Sequence, residues 1–226
     1  MAEITTQRLV TKLQRLYTTL VSDIMDEMDL QGFVLDLNIR PLVPSIKIAG
    51  EAVTARAVKY EEYTKKEFID WARIMLEFLT AGGPLKIYMV HSEGSGSIAT
   101  WGEIMSKTAR SKGSRGAITD GAVRDTPRIL NLRPRFQVFA RNITPLDAKG
   151  RLEYMEYNVP ISCGGVKVNP GVLVLADHDG VVVLPRKNAT EIISNCEKRY
   201  SIERKVGSLV KGKASVFDAV EKYGIF

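Results

Sequence analysis

Residues 116–125 read Gly-Ala-Ile-Thr-Asp-Gly-Ala-Val-Arg-Asp, a short apolar strand followed by an Asp-Gly turn and an Arg-Asp pair. In α/β proteins the chemistry collects at the carboxyl ends of the sheet strands. Asp125 could bind a hard divalent cation through oxygen, and the guanidinium of Arg124 could hold a carboxylate or an enolate with two parallel hydrogen bonds. The other interpretation is an Asp-Gly turn with an Arg–Asp ion pair on the surface, and this stretch by itself leaves both open.

The segments before this stretch alternate between helix and strand. Apolar residues recur at three- and four-residue steps over about residues 5–28, which predicts a first amphipathic helix. Further helices are predicted over about 65–80 and from residue 98, or up to a turn later, to 111. Strands are predicted at 52–58, 85–91 and 117–119. Such alternation is typical of an α/β fold.

The second half of the sequence consists of short strands separated by Gly, Pro and Asp turns. Asp177-His-Asp-Gly180, between two apolar segments, predicts a β-hairpin. The strands are expected at residues 137–140, 159–163, 166–168, 172–176 and 181–184. Two helices, at about 189–206 and 214–222, are expected to close the chain. No linker or repeat interrupts the pattern, so residues 1–226 are expected to form a single mixed α/β domain.

The composition indicates a soluble, cytoplasmic protein. No apolar run approaches the ~18–20 residues of a membrane span, and the N-terminus lacks the apolar stretch of a signal peptide. Cys163 and Cys196 are too few for a disulfide scaffold and are expected to be buried thiols. The net charge is +6, and the clearest basic run, Lys107–Arg115, is expected to be a solvated helix face. A nucleic-acid partner is not expected, because nucleic-acid binders usually concentrate their positive charge more strongly.

Gly94-Ser-Gly-Ser-Ile-Ala99 matches the G-x-G-x-x-[G/A] pattern of dinucleotide-binding turns. However, Ser92 and Glu93 separate the first glycine from the preceding strand, and the sequence lacks the further βαβ units of a doubly wound sheet. We therefore expect no dinucleotide cofactor. A glycine-rich turn before a helix still offers N–H groups to an anion.

Three further side chains have an ordinary structural interpretation beside a functional one. His91, at a strand end, could contact a substrate, but such a histidine more often hydrogen-bonds nearby backbone. His178 lies between two acidic residues of the predicted hairpin, and a second metal site there is not expected. Lys107 follows Glu103 by four residues on the predicted helix, a spacing at which a salt bridge forms.

The stretch from Gly116 to Asp125 also resembles the signature of the family that includes the class II 4-hydroxy-4-methyl-2-oxoglutarate aldolases and the regulator of ribonuclease E activity A. The resemblance covers roughly Ser22 to Pro185, and its Asp-Gly-x-x-Arg-Asp core is specific. The other segments that carry it are Gly102–Met105, Ala109, Gly113, Thr144–Pro145, Ile161–Gly165, Val168–Gly171 and Ala176–Pro185. It implies an α/β/β/α sandwich of the swivelling-domain type. It also implies a homotrimer or homohexamer with active sites between subunits and the C-terminal helices, residues 189–222, at the interface.

The resemblance further implies roles for the polar residues of this motif. Arg124 would bind the carbonyl and the carboxylate of pyruvate, and Asp125 would hold Mg²⁺ or Mn²⁺ largely through water. Glu103 takes the acidic catalytic position of the family, where aspartate is common.

Two other groups of residues complete the implied site. Gly102, Ile104 and Met105, at the start of a helix, would bind the substrate, the last two through N–H groups that face its carboxylate. In the family a carboxylate from the C-terminal helix of a neighbouring subunit completes the metal site. Glu203 is the best candidate for it and Glu197 the second.

The implied activity is that of a metal-dependent (class II) pyruvate aldolase, a lyase that cleaves 4-hydroxy-2-oxo acids of the 4-hydroxy-4-methyl-2-oxoglutarate type and releases pyruvate. Oxaloacetate decarboxylation is expected as a side activity, because the loss of carbon dioxide passes through the same enolate. No lysine occurs in residues 116–125, which agrees with a route that needs no Schiff base. The alternative is a non-catalytic regulator of RNA turnover that binds ribonuclease E or a helicase, as some members of the family do.

Overall fold

The computed structural model describes residues 5–132 and 136–211, together with residues 217, 221, 223 and 224. The helices of this part of the chain are α1 (Thr6–Leu13), α2 (Thr18–Glu27), α3 (Phe68–Thr80), α4 (Glu103–Ser111), α5 (Thr126–Leu130) and α6 (Ala189–Lys211). The strands are β1 (Arg40–Pro41), β2 (Ile48–Lys59), β3 (Lys86–Glu93), β4 (Ala99–Trp101), β5 (Gly116–Val123), β6 (Gln137–Ile143), β7 (Leu152–Tyr157), β8 (Ile161–Cys163), β9 (Val166–Val168), β10 (Leu173–Ala176) and β11 (Val181–Leu184). The helix expected at 214–222 falls almost entirely outside the described residues.

Most of the strands form one mixed sheet. Its path is β1-β6-β5-β3-β2-β10-β11, with β4 beside β5 and β7 beside β2. The pairs β2–β3, β3–β5 and β5–β6 are parallel, whereas β10 and β7 both run antiparallel to β2. β8 and β9 form a separate antiparallel pair. The parallel centre therefore comes mainly from the half of the chain in which helices and strands alternate, and the antiparallel additions come from the strand-rich half.

Three apolar clusters show how the layers stack. In the first, α3 and α4 pack on the sheet through residues such as Trp71, Phe78 and Trp101. In the second, α1, α2 and α6 cover β10 and β11. The third, which includes Met89 and Phe139, is built almost entirely from strand residues, among them those of β8 and β9. Helices therefore lie outside layers of strand, which is the expected α/β/β/α order.

The structure divides the helix expected over residues 5–28 into α1 and α2, so that prediction is wrong. Asp177, in the hairpin between β10 and β11, accepts hydrogen bonds from the backbone N–H (2.9 Å) and the hydroxyl (2.6 Å) of Thr18. A side chain from a distant segment thus caps the first turn of α2. The ammonium of Lys47 also donates to the carbonyl of Leu16, in the turn between the two helices. These partners come together only in the folded chain, so the local apolar periodicity does not reveal the break.

The region around the glycine-rich turn also differs from the expectation. Ala99–Trp101 form β4, so α4 begins only at Glu103, at the late end of the expected range. β5 is longer than expected and contains Asp120 and Gly121, where its register with β6 is irregular. The glycine-rich turn consequently leads into a strand rather than a helix, which removes the geometry that a dinucleotide-binding turn requires.

The remaining predictions about the elements fare better. The hairpin at Asp177–Gly180 is confirmed by the antiparallel pairing of β10 and β11, whereas β1, β7 and α5 were not expected from the sequence pattern.

Cys163 and Cys196 are free and buried, as predicted, and burial raises the pKa of Cys196 to about 12. None of the helices in the described segments is long and apolar enough to span a membrane.

Candidate active site

The Arg124–Asp125 pair lies at the carboxyl end of β5, where the sequence places it. Every residue of β5 is buried, and the strand ends at Val123, so the next two side chains are the first to leave the core. Asp125 adopts a left-handed backbone conformation (φ 59°, ψ 28°) directly before α5, where Pro127 follows. Aspartate tolerates this conformation better than most residues. The sharp turn brings both side chains to the edge of the sheet.

The start of α4 packs closely against this pair. The backbone N–H of Glu103 donates to Oδ2 of Asp125 at 3.3 Å. A Cβ atom on Gly102 would lie 3.1 Å from the same oxygen and 3.4 Å from Cγ of Arg124. Gly102 therefore allows the helix start and the Arg-Asp turn to approach each other. The structure thus brings Gly102, Glu103, Arg124 and Asp125 together, as the sequence predicts.

Arg124 faces two carboxylates. Its Nε lies 3.6 Å from Oδ2 of Asp125, and its Nη1 lies 3.2 Å from Oδ1 of Asp147. The three side chains are about two-fifths exposed, so a ligand can reach them. Asp147 was missed by sequence reasoning. It lies 23 residues after Arg124 in the sequence. The signal that could have indicated this segment is Thr144-Pro145, a part of the family signature that lies just before it.

Glu103 is held between two cations. Its Oε1 accepts from Nζ of Lys107 at 2.5 Å, and its Oε2 lies 3.1 Å from Nη1 of Arg128. The hydrogen bonds from Lys107 and then from Arg128 lower the pKa of this carboxyl below its ordinary value. The predicted salt bridge with Lys107 is confirmed, whereas Arg128 was not anticipated. Glu103 is therefore ionised and fixed in position at neutral pH.

Ile104 and Met105 lie in the first turn of α4. Backbone N–H groups at this end of a helix have no acceptor within the helix and carry a partial positive charge. Ile104 is exposed and Met105 is buried, and both residues line the same cleft as Arg124. The position suits a carboxylate ligand.

A cleft of about 520 Å³ joins these groups to α3. Glu103, Arg124, Asp125 and Asp147 are its charged lining residues in the described part of the chain. The wall contributed by α3 includes Phe68, Trp71, Met75, Leu76 and Leu79. The cleft is thus charged in one part and apolar along α3, and its volume suits a small molecule.

The donor set at the charged part fits a hydrated hard cation. No group of three or more His, Cys, Asp or Glu residues in the described segments could hold a metal ion. The ligand atoms that the cleft offers to a metal ion are carboxylate oxygens. Both oxygens of Glu103 are already paired with cations, whereas the carboxylate of Asp125 is accessible. Mg²⁺ typically keeps several waters and binds proteins through one or two carboxylates, and Mn²⁺ also prefers oxygen ligands. Asp125 is therefore the residue that would hold such an ion.

Glu203 and Glu197 lie on α6 and have partners within their own chain. Glu203 accepts a hydrogen bond from the Tyr17 hydroxyl; burial, and then this carboxylate, raise the pKa of Tyr17. Glu197 pairs with Lys12 at 2.5 Å. Neither glutamate lines the cleft of its own chain. A role in the site of a neighbouring subunit stays a prediction.

His91 has a different partner from the one expected. Its Nδ1 lies 2.7 Å from Oδ2 of Asp120, whose two oxygens also accept from the backbone N–H groups of Ser92 (2.7 Å) and Gly164 (3.0 Å). The hydrogen bond to Asp120 raises the pKa of His91, although burial opposes it. Burial alone would raise the pKa of Asp120, but these hydrogen bonds leave it lowered. This pair, in which Asp120 is buried and His91 is partly buried, ties β3 and β5 to the turn after β8, and neither residue lines the cleft.

The sequence and the fold are both similar to known proteins. A protein of Methanocaldococcus jannaschii named "Uncharacterized protein MJ0644" is 35% identical over 169 residues, which is 74% of this chain and 76% of that protein. A protein of Halalkalibacterium halodurans named "Putative 4-hydroxy-4-methyl-2-oxoglutarate aldolase" is 27% identical over 194 residues, 85% of this chain and 83% of that one.

A solved structure from Streptomyces coelicolor, described as RraAS2, an unusual member of the RNase ES inhibitor RraA protein family, superposes with a TM-score of 0.77. It is 26% identical and covers 90% of this chain and 98% of its own. Residues 18–183 match the RraA-like family, described as Aldolase/RraA, and this range includes Glu103, Arg124 and Asp125. The chain therefore belongs to the RraA-like family.

Proposed function

We propose that this protein is a divalent-metal-dependent lyase that cleaves 4-hydroxy-2-oxo acids and releases pyruvate. The observation that carries the proposal is the junction of Arg124, Asp125 and the start of α4 within one accessible cleft. A guanidinium, a metal-binding carboxylate and helix N–H groups are the parts needed to bind a 2-oxo acid and stabilise its enolate. The name of the Halalkalibacterium halodurans relative supports the same reaction class.

The substrate's 2-oxo acid unit binds between α4 and Arg124. Its carboxylate accepts hydrogen bonds from the N–H groups of Ile104 and Met105, where the helix dipole favours negative charge. The guanidinium of Arg124 reaches the carboxylate and the adjacent 2-oxo oxygen with two of its N–H groups. Asp147 and Asp125 flank this guanidinium and hold it in place.

Cleavage breaks the bond between C3 and C4. The electron pair of that bond becomes the enolate of pyruvate, whose oxygen Arg124 stabilises, and the 4-hydroxyl loses its proton as the carbonyl product forms. Asp125 would hold an Mg²⁺ or Mn²⁺ ion, which would supply Lewis-acid stabilisation of this negative charge, an effect worth several kcal/mol. Glu103, kept ionised and in position by Lys107 and Arg128, orients the water that carries the proton of the 4-hydroxyl to solvent. The enolate then takes a proton at C3.

The test is pyruvate release from a panel of 4-hydroxy-2-oxo acids, followed with lactate dehydrogenase and NADH. We expect turnover with Mg²⁺ or Mn²⁺, loss of turnover in EDTA, and recovery when the metal is restored. Slow release of pyruvate from oxaloacetate, above the rate with the metal alone, is expected in the same assay. Turnover that persists in EDTA would contradict the metal requirement.

A regulatory function is the second candidate, because the chain resembles the Streptomyces coelicolor structure described as an RNase ES inhibitor family member. A regulator that acts through protein contact needs neither an accessible Arg124–Asp125 pair nor a substrate cleft, so these features favour catalysis. The two functions are separated by titrating the protein against ribonuclease E while RNA cleavage is measured. Inhibition that survives substitution of Asp125, in a protein that releases no pyruvate, would favour the regulator.

A further inference from the structure

We propose that Arg128 determines specificity by binding a second carboxylate of the substrate, one attached to C4. This assignment rests on the proposed function and adds a residue to it. The protein would then favour dicarboxylates such as 4-hydroxy-2-oxoglutarate over 4-hydroxy-2-oxo acids whose C4 substituent is uncharged. Arg128 would contact the half of the substrate that leaves as the carbonyl product, so no bond forms or breaks at this residue.

The position of Arg128 places its guanidinium at the rim of the cleft. Arg128 lies in α5, and its backbone N–H donates to the carbonyl of Asp125 at 2.9 Å. Its Nη1 lies 3.1 Å from Oε2 of Glu103. Glu103 and then Asp125 raise the pKa of Arg128, so both carboxylates act on its charge. These two acidic residues line the cleft, whereas Arg128 stands just outside the lining.

Most of the hydrogen-bonding capacity of Arg128 is unused. Its side chain is 73% exposed, and Glu103 is its acceptor in the described part of the chain. A guanidinium carries its N–H donors in a planar arrangement, so a bond from one nitrogen leaves another edge for a carboxylate. Arg128 can therefore bind a ligand while it still holds Glu103.

The group around Glu103 has an excess of positive charge. Lys107 and Arg128 face its two oxygens, so two cations surround one carboxylate. The guanidinium of Arg124, in contrast, is flanked by two carboxylates, an excess of negative charge that a divalent cation would offset. A glutamate from a neighbouring subunit is expected at that metal rather than at Lys107 and Arg128. One positive charge beside Glu103 is therefore left for a ligand.

The proposed mechanism brings C4 to this positive charge. Glu103 orients the water that accepts the proton of the 4-hydroxyl, so C4 lies close to Glu103 in the reacting complex. A carboxylate attached to C4 would then lie beside the two cations, while Arg124 is used by the 2-oxo acid unit. Arg128 is more exposed than Lys107, 73% against 52%. Its planar donors, unlike an ammonium, can hold a carboxylate at two points.

The first experiment compares two substrates that differ only in the group attached to C4. 4-Hydroxy-2-oxoglutarate has a carboxylate there, and 4-hydroxy-2-oxopentanoate has a methyl group. Pyruvate release is measured with Mg²⁺ for the wild type and for Arg128→Gln. We expect the wild type to favour the dicarboxylate in kcat/KM, and the substitution to lower this preference about tenfold, mainly through KM. Weaker support of Glu103 would affect the 4-hydroxyl of both substrates alike, so it would not change the preference.

Two further variants show whether the effect belongs to the guanidinium of Arg128. Arg128→Lys should keep an intermediate preference, because lysine keeps the charge but not the planar donors. Arg73→Gln is the matched control and should keep the full preference. Arg73 is 66% exposed, pairs with Asp70 at 3.5 Å and does not line the cleft. Sedimentation of each variant is the second control. A preference that changes only together with the size of the oligomer would place Arg128 at a subunit contact and overturn the assignment.

Binding of substrate analogues gives a readout that does not need turnover. Trp71 and Trp101 are the two tryptophans of the sequence and both line the cleft, so intrinsic fluorescence reports on its occupancy. The protein with Mg²⁺ is titrated with 2-oxoglutarate and with 2-oxopentanoate, in which a methyl group replaces the second carboxylate. We expect 2-oxoglutarate to bind about tenfold more tightly to the wild type, and Arg128→Gln to abolish the difference. Added salt should reduce the difference as well.

The outcomes distinguish failure of this assignment from failure of the proposed function. Pyruvate release with the same preference in the wild type and in Arg128→Gln would overturn the role of Arg128 and leave the proposed lyase intact. Release from neither substrate would count against the proposed function, and the titrations would then decide the role of Arg128. Equal affinities of the wild type for the two acids, or a difference that Arg128→Gln leaves unchanged, would overturn that role.

Discussion

Asp125 combines two properties at the level of the single residue, an accessible carboxylate and a left-handed backbone conformation. Asparagine tolerates that conformation and has the same shape, so Asp125→Asn removes the charge with little effect on the fold. We expect the variant to lose Mg²⁺ affinity and to lower kcat/KM for pyruvate release by at least about a hundredfold. Calorimetric titration with Mn²⁺ and the coupled assay measure the two effects.

Asp29→Asn is the matched control for that substitution. Asp29 is an exposed aspartate that also has a positive φ, 56°, after the end of α2. It does not line the cleft. The control should bind Mn²⁺ and turn over like the wild type, and a similar loss in both variants would point to a general effect on folding.

His91 gives the protein a pH-dependent contribution to stability. Because the hydrogen bond to Asp120 raises the pKa of His91 in the folded state, the pair stabilises the fold fully below the ordinary histidine pKa of about 6.5. This contribution declines as the pH rises through the higher pKa of the folded state. Arg56 and Glu93 also act on His91, and their effects on its pKa oppose each other.

Substitution of His91 should therefore change the free energy of unfolding by an amount that depends on pH. The loss in His91→Gln is expected to be on the order of 1 kcal/mol larger at pH 5.5 than at pH 9. Urea unfolding at the two pH values measures it. His178→Gln, at an exposed position of the β10–β11 hairpin, should follow the wild-type pH dependence. A loss in His91→Gln that is the same at both values would show that the pair stabilises the fold without a charge on His91.

At the level of the secondary-structure elements, the contact between the start of α4 and the turn after β5 sets the geometry of the site. Gly102→Ala would bring a methyl group to 3.1 Å from Oδ2 of Asp125, so one of the two segments must shift. The backbone of Gly102 is extended (φ −156°), a conformation that alanine adopts without strain. We expect a loss of activity of at least about tenfold with little change in melting temperature.

Gly83→Ala is the control for this prediction, since no atom lies within 4 Å of a Cβ atom built there. Kinetic and thermal measurements on both variants separate displacement of the site from destabilisation. Full activity in Gly102→Ala would show that the packing of α4 against Asp125 does not matter for catalysis.

The predictability of these elements follows from where their determinants lie in the chain. The end of α3 at Thr80, before two glycines, was predictable because the signal is local. The break between α1 and α2 was not, because Asp177 caps Thr18 from 159 residues away. The site shows the same division. Glu103, Arg124 and Asp125 could be predicted from the family signature, because they belong to its motifs. Asp147 could not, because it reaches Arg124 only through the folding of a later loop.

At the level of the whole molecule, we expect a homotrimer or a homohexamer in which a glutamate of α6 completes the site of a neighbour. Mixing inactive Asp125→Asn protein with inactive Glu203→Ala protein should then restore part of the activity, because some interfaces carry both intact residues. Recovery that requires Glu197 instead of Glu203 would keep the shared site and change the residue. A fully active monomer in sedimentation, or no recovery in verified mixed oligomers, would contradict the shared site.

The contact of Glu203 with Tyr17 requires a control in that experiment. Glu203→Ala also removes the hydrogen bond from the Tyr17 hydroxyl within its own chain. Tyr17→Phe removes the same hydrogen bond and keeps the carboxylate. It should remain active if Glu203 acts on a neighbour, and it should be as inactive as Glu203→Ala if the contact with Tyr17 is what matters.

The most direct measurement of the central claim is the exchange of pyruvate's methyl protons with deuterium, followed by NMR in D₂O. An enzyme that stabilises the enolate of pyruvate should catalyse this exchange. The measurement therefore does not depend on which leaving half the natural substrate carries. We predict exchange that requires Mg²⁺ or Mn²⁺ and is lost in Asp125→Asn. It should also be lost in Arg124→Lys nearly as fully as in Arg124→Ala, because lysine keeps the charge but not the planar pair of donors. Exchange no faster than in buffer with metal alone, or exchange equal in the wild type and Arg124→Ala, would contradict the account.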